Sequence, residues 1–130
     1  MSKSNTFEND LLKHIFNNDA IALIGDATGV RGSTSAGSLY VSLHTADPGE
    51  AGDQTTSETA YTNYARVAVA RTTGGWTVSG NAVSNAALVQ FAQCGVTGAT
   101  LTHFGVDTDS SGTGKLLYSG ELSSSLAVAS

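Results

Sequence analysis

The chain has 130 residues, 13% of them charged and 40% apolar, and its 6 basic against 11 acidic residues leave it at net −5. That length is about one domain and can bury a core, and the apolar content excludes a disordered chain. Scattered cations exclude a phosphate-neutralising nucleic-acid binder, and the single Cys94 excludes an internal disulfide framework and a cysteine zinc site.

No apolar run approaches the length of a membrane span, and Lys3 among polar neighbours makes no secretory signal, so a soluble, intracellularly folded domain is expected. Residues 1–25 read as a helical segment and residues 26–130 as an antiparallel β domain, together a single domain. Phe7, Leu11, Leu12, Ile15 and Phe16 recur at helical spacing. Asn5 with Glu8 has the capping-box pattern, Ser4 and Thr6 are alternative caps, and Asn17-Asn18 ends the helix. Asp19 then caps a second short helix predicted over 20–24 and closed by Gly25. Residues 26–37 have no period and read as a loop.

Residues 38–45 (SLYVSLHT) alternate as a strand, with Leu39, Val41 and Leu43 opposite Tyr40, Ser42 and His44. Asp47-Pro48-Gly49 is a turn, followed by a long polar loop over 50–63 carrying Glu50, Asp53 and Glu58. Residues 64–71 alternate again, Gly74-Gly75 predicts a hairpin into the strand at 76–79, and Gly80-Asn81 turns into weaker alternation over 82–91. Strands follow at 100–106 and 115–122 around a polar turn at 107–114, and residues 123–130 read as an interrupted apolar stretch. The sum is a mainly β chain: an antiparallel β-sandwich or barrel of about six to seven strands with one or two short N-terminal helices.

Few residues invite chemistry. His44 lies near Asp47 and His103 near Asp107, pairs compatible with general-base or metal work. Each also reads as a histidine on a sheet surface beside a turn, and that reading is preferred. His14 reads as a packing or surface residue of the first helix. Asp107, Asp109 and Gly112 loosely resemble the start of a calcium loop, but the bidentate glutamate such a loop needs is missing. No nucleophile elbow or phosphate-binding glycine loop is present, Cys94 lacks a basic neighbour, and Trp76, Tyr40, Tyr61 and Tyr64 read as packing aromatics before a sugar platform. No catalytic, cofactor or metal site is expected.

The segment LYVSLHTADPGEAGDQTTSETAYTNYARVAVART, then GGWTVSGNAVSNAALVQF, THFGV and GKLLYSGEL, with the helix LLKHIFNN ahead of them, resembles a family of tailed-bacteriophage and prophage virion structural proteins. That family is labelled tail-fibre-like or head-decoration, and the resemblance covers nearly the whole chain. It implies a virion component, made in the host cytoplasm. Family members continue with a further glycine turn and strand, so that final strand is expected either to be absent here or to belong to a part of the protein beyond residue 130. The first expectation is a non-enzymatic capsid decoration (cement) protein on the capsid surface, binding the major capsid protein lattice as a homo-oligomer such as a trimer. Sparse charge suits surface buried against copies or a shell, and an unclosed sheet leaves an edge for a neighbour. The expected contact residues are Phe7, Leu11 and Ile15 on the helix and Glu50, Asp53 and Glu58 in the acidic loop. The alternative is a receptor- or glycan-binding tail module using exposed Tyr61, Tyr64 and Trp76. A hydrolase built on His44 and Asp47 ranks last.

Overall fold

In the computed structural model, which describes residues 1–130, Ser4 caps helix α1 (Asn5–Asn17) by accepting the Phe7 N–H at 3.3 Å. Glu8 sits in the first turn, where a carboxylate suits the helix dipole, and Asn18 ends the helix in the left-handed conformation, φ 62°. Phe16 is the residue that α1 buries.

The second helix expected over 20–24 does not form. Ile21 and Val30 instead exchange two backbone hydrogen bonds of 2.8 and 2.9 Å, closing a turn. Leu23, Gly25 and Gly29 all have positive φ, and Asp26 accepts the N–H groups of Thr28 and Gly29. Local carboxylate bonding and three left-handed residues outweigh the mild helix preference of two alanines.

Six strands follow: β1 (Ser38–His44), β2 (Val67–Ala70), β3 (Trp76–Ser79), β4 (Ala82–Asn85), β5 (Ala99–Asp107) and β6 (Leu116–Val128). They form two sheets, one ordered β2-β1-β5-β6 and the other β3-β4. β1 and β5 pair antiparallel from Tyr40 opposite Asp107 to His44 opposite His103. The larger sheet ends on β2 and β6 and so is not a closed barrel. β3 and β4 form the hairpin expected around Gly80-Asn81, with Gly80 at φ 59°.

Three sequence expectations are corrected here. Gly74-Gly75 does not join a hairpin, because β2 and β3 belong to different sheets. The N–H groups of Gly75 and Trp76 both reach the Thr72 carbonyl, and a Cβ at Gly75 would sit 2.1 Å from the Ala70 carbonyl oxygen. The strand expected over 82–91 stops at Asn85, whose amide turns back to the Ala87 carbonyl at 2.7 Å. The final stretch is strand to Val128, paired with β5 through register shifts beside Thr102 and Asp107. Its exposed serines carry no apolar alternation, so periodicity does not reveal it.

By internal contacts the chain divides into two units, Met1–Ser38 with Val69–Leu88 and Leu39–Ala68 with Val89–Ser130. In the first, α1 lies on β3 and β4, and Phe16 meets Trp76 edge-on at 4.9 Å. The Arg71 guanidinium closes the helix C-terminus, donating to Ile15 O at 2.6 Å and His14 O at 2.8 Å. In the second, Tyr61, Cys94 and Leu101 are the buried apolar cluster, flanked by Leu43, Tyr64, Leu122 and Val128.

Candidate functional site

Alternation in β1 puts Ser42 and His44 on one face, and that polar face is covered: both side chains are fully buried. His44 Nδ1 lies 2.8 Å from Thr56 O and its Nε2 lies 2.8 Å from Ser42 Oγ. A carbonyl only accepts, so Nδ1 carries a proton, and in the neutral ring Nε2 accepts the serine O–H. Asp107, on the neighbouring strand β5, is buried beside them, and burial pushes its carboxyl above the ordinary range against the pull of Ser42, Arg66 and His44. Gly105 makes the room. A Cβ there would stand 2.5 Å from Ser42 Oγ and 3.0 Å from His44 Nε2.

Next to this group, Arg66 holds Glu58 with two nitrogens at 2.7 Å each, its side chain only 3% exposed. Tyr64 donates to the same Glu58 carboxylate at 2.8 Å and accepts the Leu43 N–H, and its hydroxyl is pushed far up by burial. Arg66 also reaches the carbonyls of Asp109 and Gly112, both at 3.0 Å. Buried Gln54 grips the same loop: its Oε1 accepts from Thr108 N and Asp109 N, and its Nε2 donates to the Asp109 and Gly112 carbonyls. Two side chains from the acidic-loop region therefore pin the β5–β6 connection, leaving Ser110, Ser111 and Thr113 exposed on a fixed loop.

The paired histidine–aspartate candidates do not come together. Asp47 accepts the Gly49 N–H in its own turn while His44 bonds Ser42 and Thr56, and His103 bonds Thr102 with no hydrogen bond to Asp107. The preferred surface reading of His44 is corrected as well, since its ring is fully buried. His14 bonds the Asp19 carbonyl at the end of α1.

The six expected contact residues divide by position. Phe7 is exposed, and Leu11 and Ile15 are half-buried on the helix. Glu50 is exposed and lines a hollow of about 410 Å³ with Asp47 and Tyr118. Asp53 caps its own turn by accepting the N–H and hydroxyl of Thr55, which hold its carboxyl below the ordinary range. Glu58 is turned inward onto Arg66 and Tyr64. The exposed aromatic platform is overturned. Tyr61 is buried with its hydroxyl on Ala92 O, Trp76 is buried against Phe16, and Tyr64 is stacked on Phe91 with its hydroxyl committed. Sequence reasoning missed Gln54 and Arg66, and it set Asp107 beside His103 where the structure buries it beside Ser42 and His44. Their only signal was polar residues at alternating strand positions or in a long loop, which a solvated surface shares.

The fold and the committed polar residues define a small, mainly β structural module whose outward surface is poor in charge. Residues 2–130 match the family model of the podophage GP4 fiber I protein gp80, and the chain belongs to that family. It is a tail-fibre-like virion structural protein of a bacteriophage. No curated relative matches the chain. No helix is long and apolar enough to cross a membrane.

Proposed function

We propose that the chain is a structural building block of a tail-associated fibre, acting by burying its own surface against neighbouring subunits. The observation that carries this is what the surface holds. Ser42, His44, Gln54 and Asp107 are buried, whereas Leu23, Ile24, Val30, Leu88, Val96 and Leu126 are exposed. Copies of the chain are the proposed partners, with the helix face of Phe7, Leu11 and Ile15 and the exposed Glu50 as further contacts.

Attachment to the capsid surface, as a decoration protein on the major capsid protein, is the second reading. It is supported by the same charge-poor surface, because a lattice-binding interface is also depleted of charge at its core. Cryo-electron microscopy of the intact virion separates the two. Density for this chain in a fibre at the tail is expected, and density only on the capsid shell overturns the fibre reading in favour of decoration.

A further inference from the structure

The buried polar group carried by β1 and β5 is one hydrogen-bond donor short. Ser42, His44 and Asp107 are each 0% exposed, and neither carboxyl oxygen of Asp107 has a hydrogen-bond partner. The Thr56 carbonyl fixes a proton on His44 Nδ1, and the Ser42 O–H is taken by Nε2. Arg66 attracts the Asp107 charge from nearby, but its nitrogens donate to Glu58 and to the Asp109 and Gly112 carbonyls. Directly opposite Asp107 stand Tyr40 on β1 and Leu116 on β6, and Glu58 is the other carboxylate that acts on it. An ionised carboxylate left without a donor in the interior is costly, and buried polar groups in folded proteins are nearly always paired.

We propose that Asp107 keeps a proton and donates it to Ser42 Oγ, so that Asp107, Ser42 and His44 form a one-way hydrogen-bond chain that latches the acidic loop at Thr56. Every link then has one donor and one acceptor: Asp107 O–H to Ser42 Oγ, Ser42 O–H to Nε2, and Nδ1–H to Thr56 O. Of the neighbouring side chains, Ser42 acts most strongly on the Asp107 carboxyl, which fits it as the acceptor. The reverse direction, with the proton on the imidazole, would set a cation and an anion in the interior, where both must be desolvated. Burial pushes the Asp107 carboxyl upward, in agreement with the neutral direction. The chain makes the hold of β1 on the acidic loop depend on pH. Thr45 N–H bonds Ser57 O and Thr59 N–H bonds Leu43 O on either side of the His44–Thr56 contact. When Asp107 loses its proton, the Ser42 O–H turns from Nε2 to the new carboxylate, and the ring is left with Thr56 alone. The latch is closed below the folded value of Asp107 and loosened above it. This inference concerns one folded chain and stands apart from the fibre reading.

Nuclear magnetic resonance of the full chain tests this without a variant. At about pH 5, where an ordinary aspartate is ionised, the Asp107 Cγ shift is expected in the carboxylic-acid range. His44 is expected to carry its proton on Nδ1 with Nε2 bare. An ionised Asp107 at that pH, or a doubly protonated His44 beside it, overturns the proposal. As pH rises, the Nε2 shift is expected to move with the same midpoint as Asp107 Cγ, because the Ser42 O–H changes partner. In D107N, whose amide can donate to Ser42 Oγ at any pH, the Nε2 shift is expected to show no such midpoint. In S42A, checked for folding by circular dichroism, the Asp107 transition is expected to leave Nε2 unmoved. An Nε2 shift that ignores Asp107 in the wild type, or that still follows it in S42A, overturns the chain. Hydrogen exchange reads the latch itself. Above the Asp107 midpoint the Thr45 and Thr59 amides are expected to exchange faster in wild type than in D107N, and equal rates overturn the coupling to the loop.

Discussion

Arg66 and Glu58 form a two-pronged ion pair, with Nε on Oε1 and Nη2 on Oε2 at 2.7 Å each, and the same guanidinium holds the loop between β5 and β6. One residue ahead of the short strand β2 thus ties the acidic loop to a connection more than forty residues away in the chain, because a planar fork of five donors can serve two partners at once.

Arg66→Ala leaves the half-buried Glu58 without its cation and two loop carbonyls without donors. Removing one partner of a buried pair costs about 3–5 kcal/mol. The denaturant midpoint is expected to fall accordingly. Arg66→Lys should recover only part of the loss, since an ammonium cannot match the fork.

Asp107 sets a pH dependence. Its folded carboxyl is raised above the ordinary 3.8, so above that pH the folded state keeps a proton that the unfolded chain releases. The stability it contributes is complete below 3.8 and is lost as pH rises through the folded value. Asp107→Asn removes that titration. Urea unfolding of both proteins from pH 4 upward is expected to show wild type losing ground to the variant as pH rises. A constant difference would refute the assignment.

Gln54→Ala removes the side chain that bonds both N–H groups and both carbonyls of the β5–β6 loop. A loss of about 2–3 kcal/mol is expected, on the scale of buried groups left unpaired. Hydrogen exchange should quicken at Thr108 and Asp109, whose amides point at Gln54 Oε1.

Gly105→Ala forces a methyl to 2.5 Å from Ser42 Oγ and 2.9 Å from Leu116 Cδ1. Overpacking of this kind costs about 1–3 kcal/mol. Thermal unfolding is expected to show a lowered midpoint, and Ser42→Ala in the same chain should relieve part of it, since the closest contact is then gone.

Arg71→Ala uncaps α1. The carbonyls of His14 and Ile15 lose their donors, and about 1–2 kcal/mol with reduced helical circular dichroism is expected.

Local chemistry in the chain was enough to determine several elements. The helix from Phe7 to Phe16, the strand at Ser38, the hairpin at Gly80-Asn81 and the mainly β class follow from periods of 3.6 and 2 and from turn residues, all properties of neighbours in sequence. The order of motifs along the chain likewise pointed to a phage structural family. Tertiary structure alone decided the rest. Whether the polar face of β1 meets water or Asp107 depends on what β5 brings to it, and alternation reads the same either way. Gly74-Gly75 looked like a hairpin because a turn reports a change of direction and not which strand receives the chain. Trp76 and Tyr61 were legible as packing aromatics, but not the partners they pack on, Phe16 and Ala92, which lie distant in sequence. Sequence period shows that a strand has two faces; only packing chooses which one is covered, because the partners that cover it come from elsewhere in the chain.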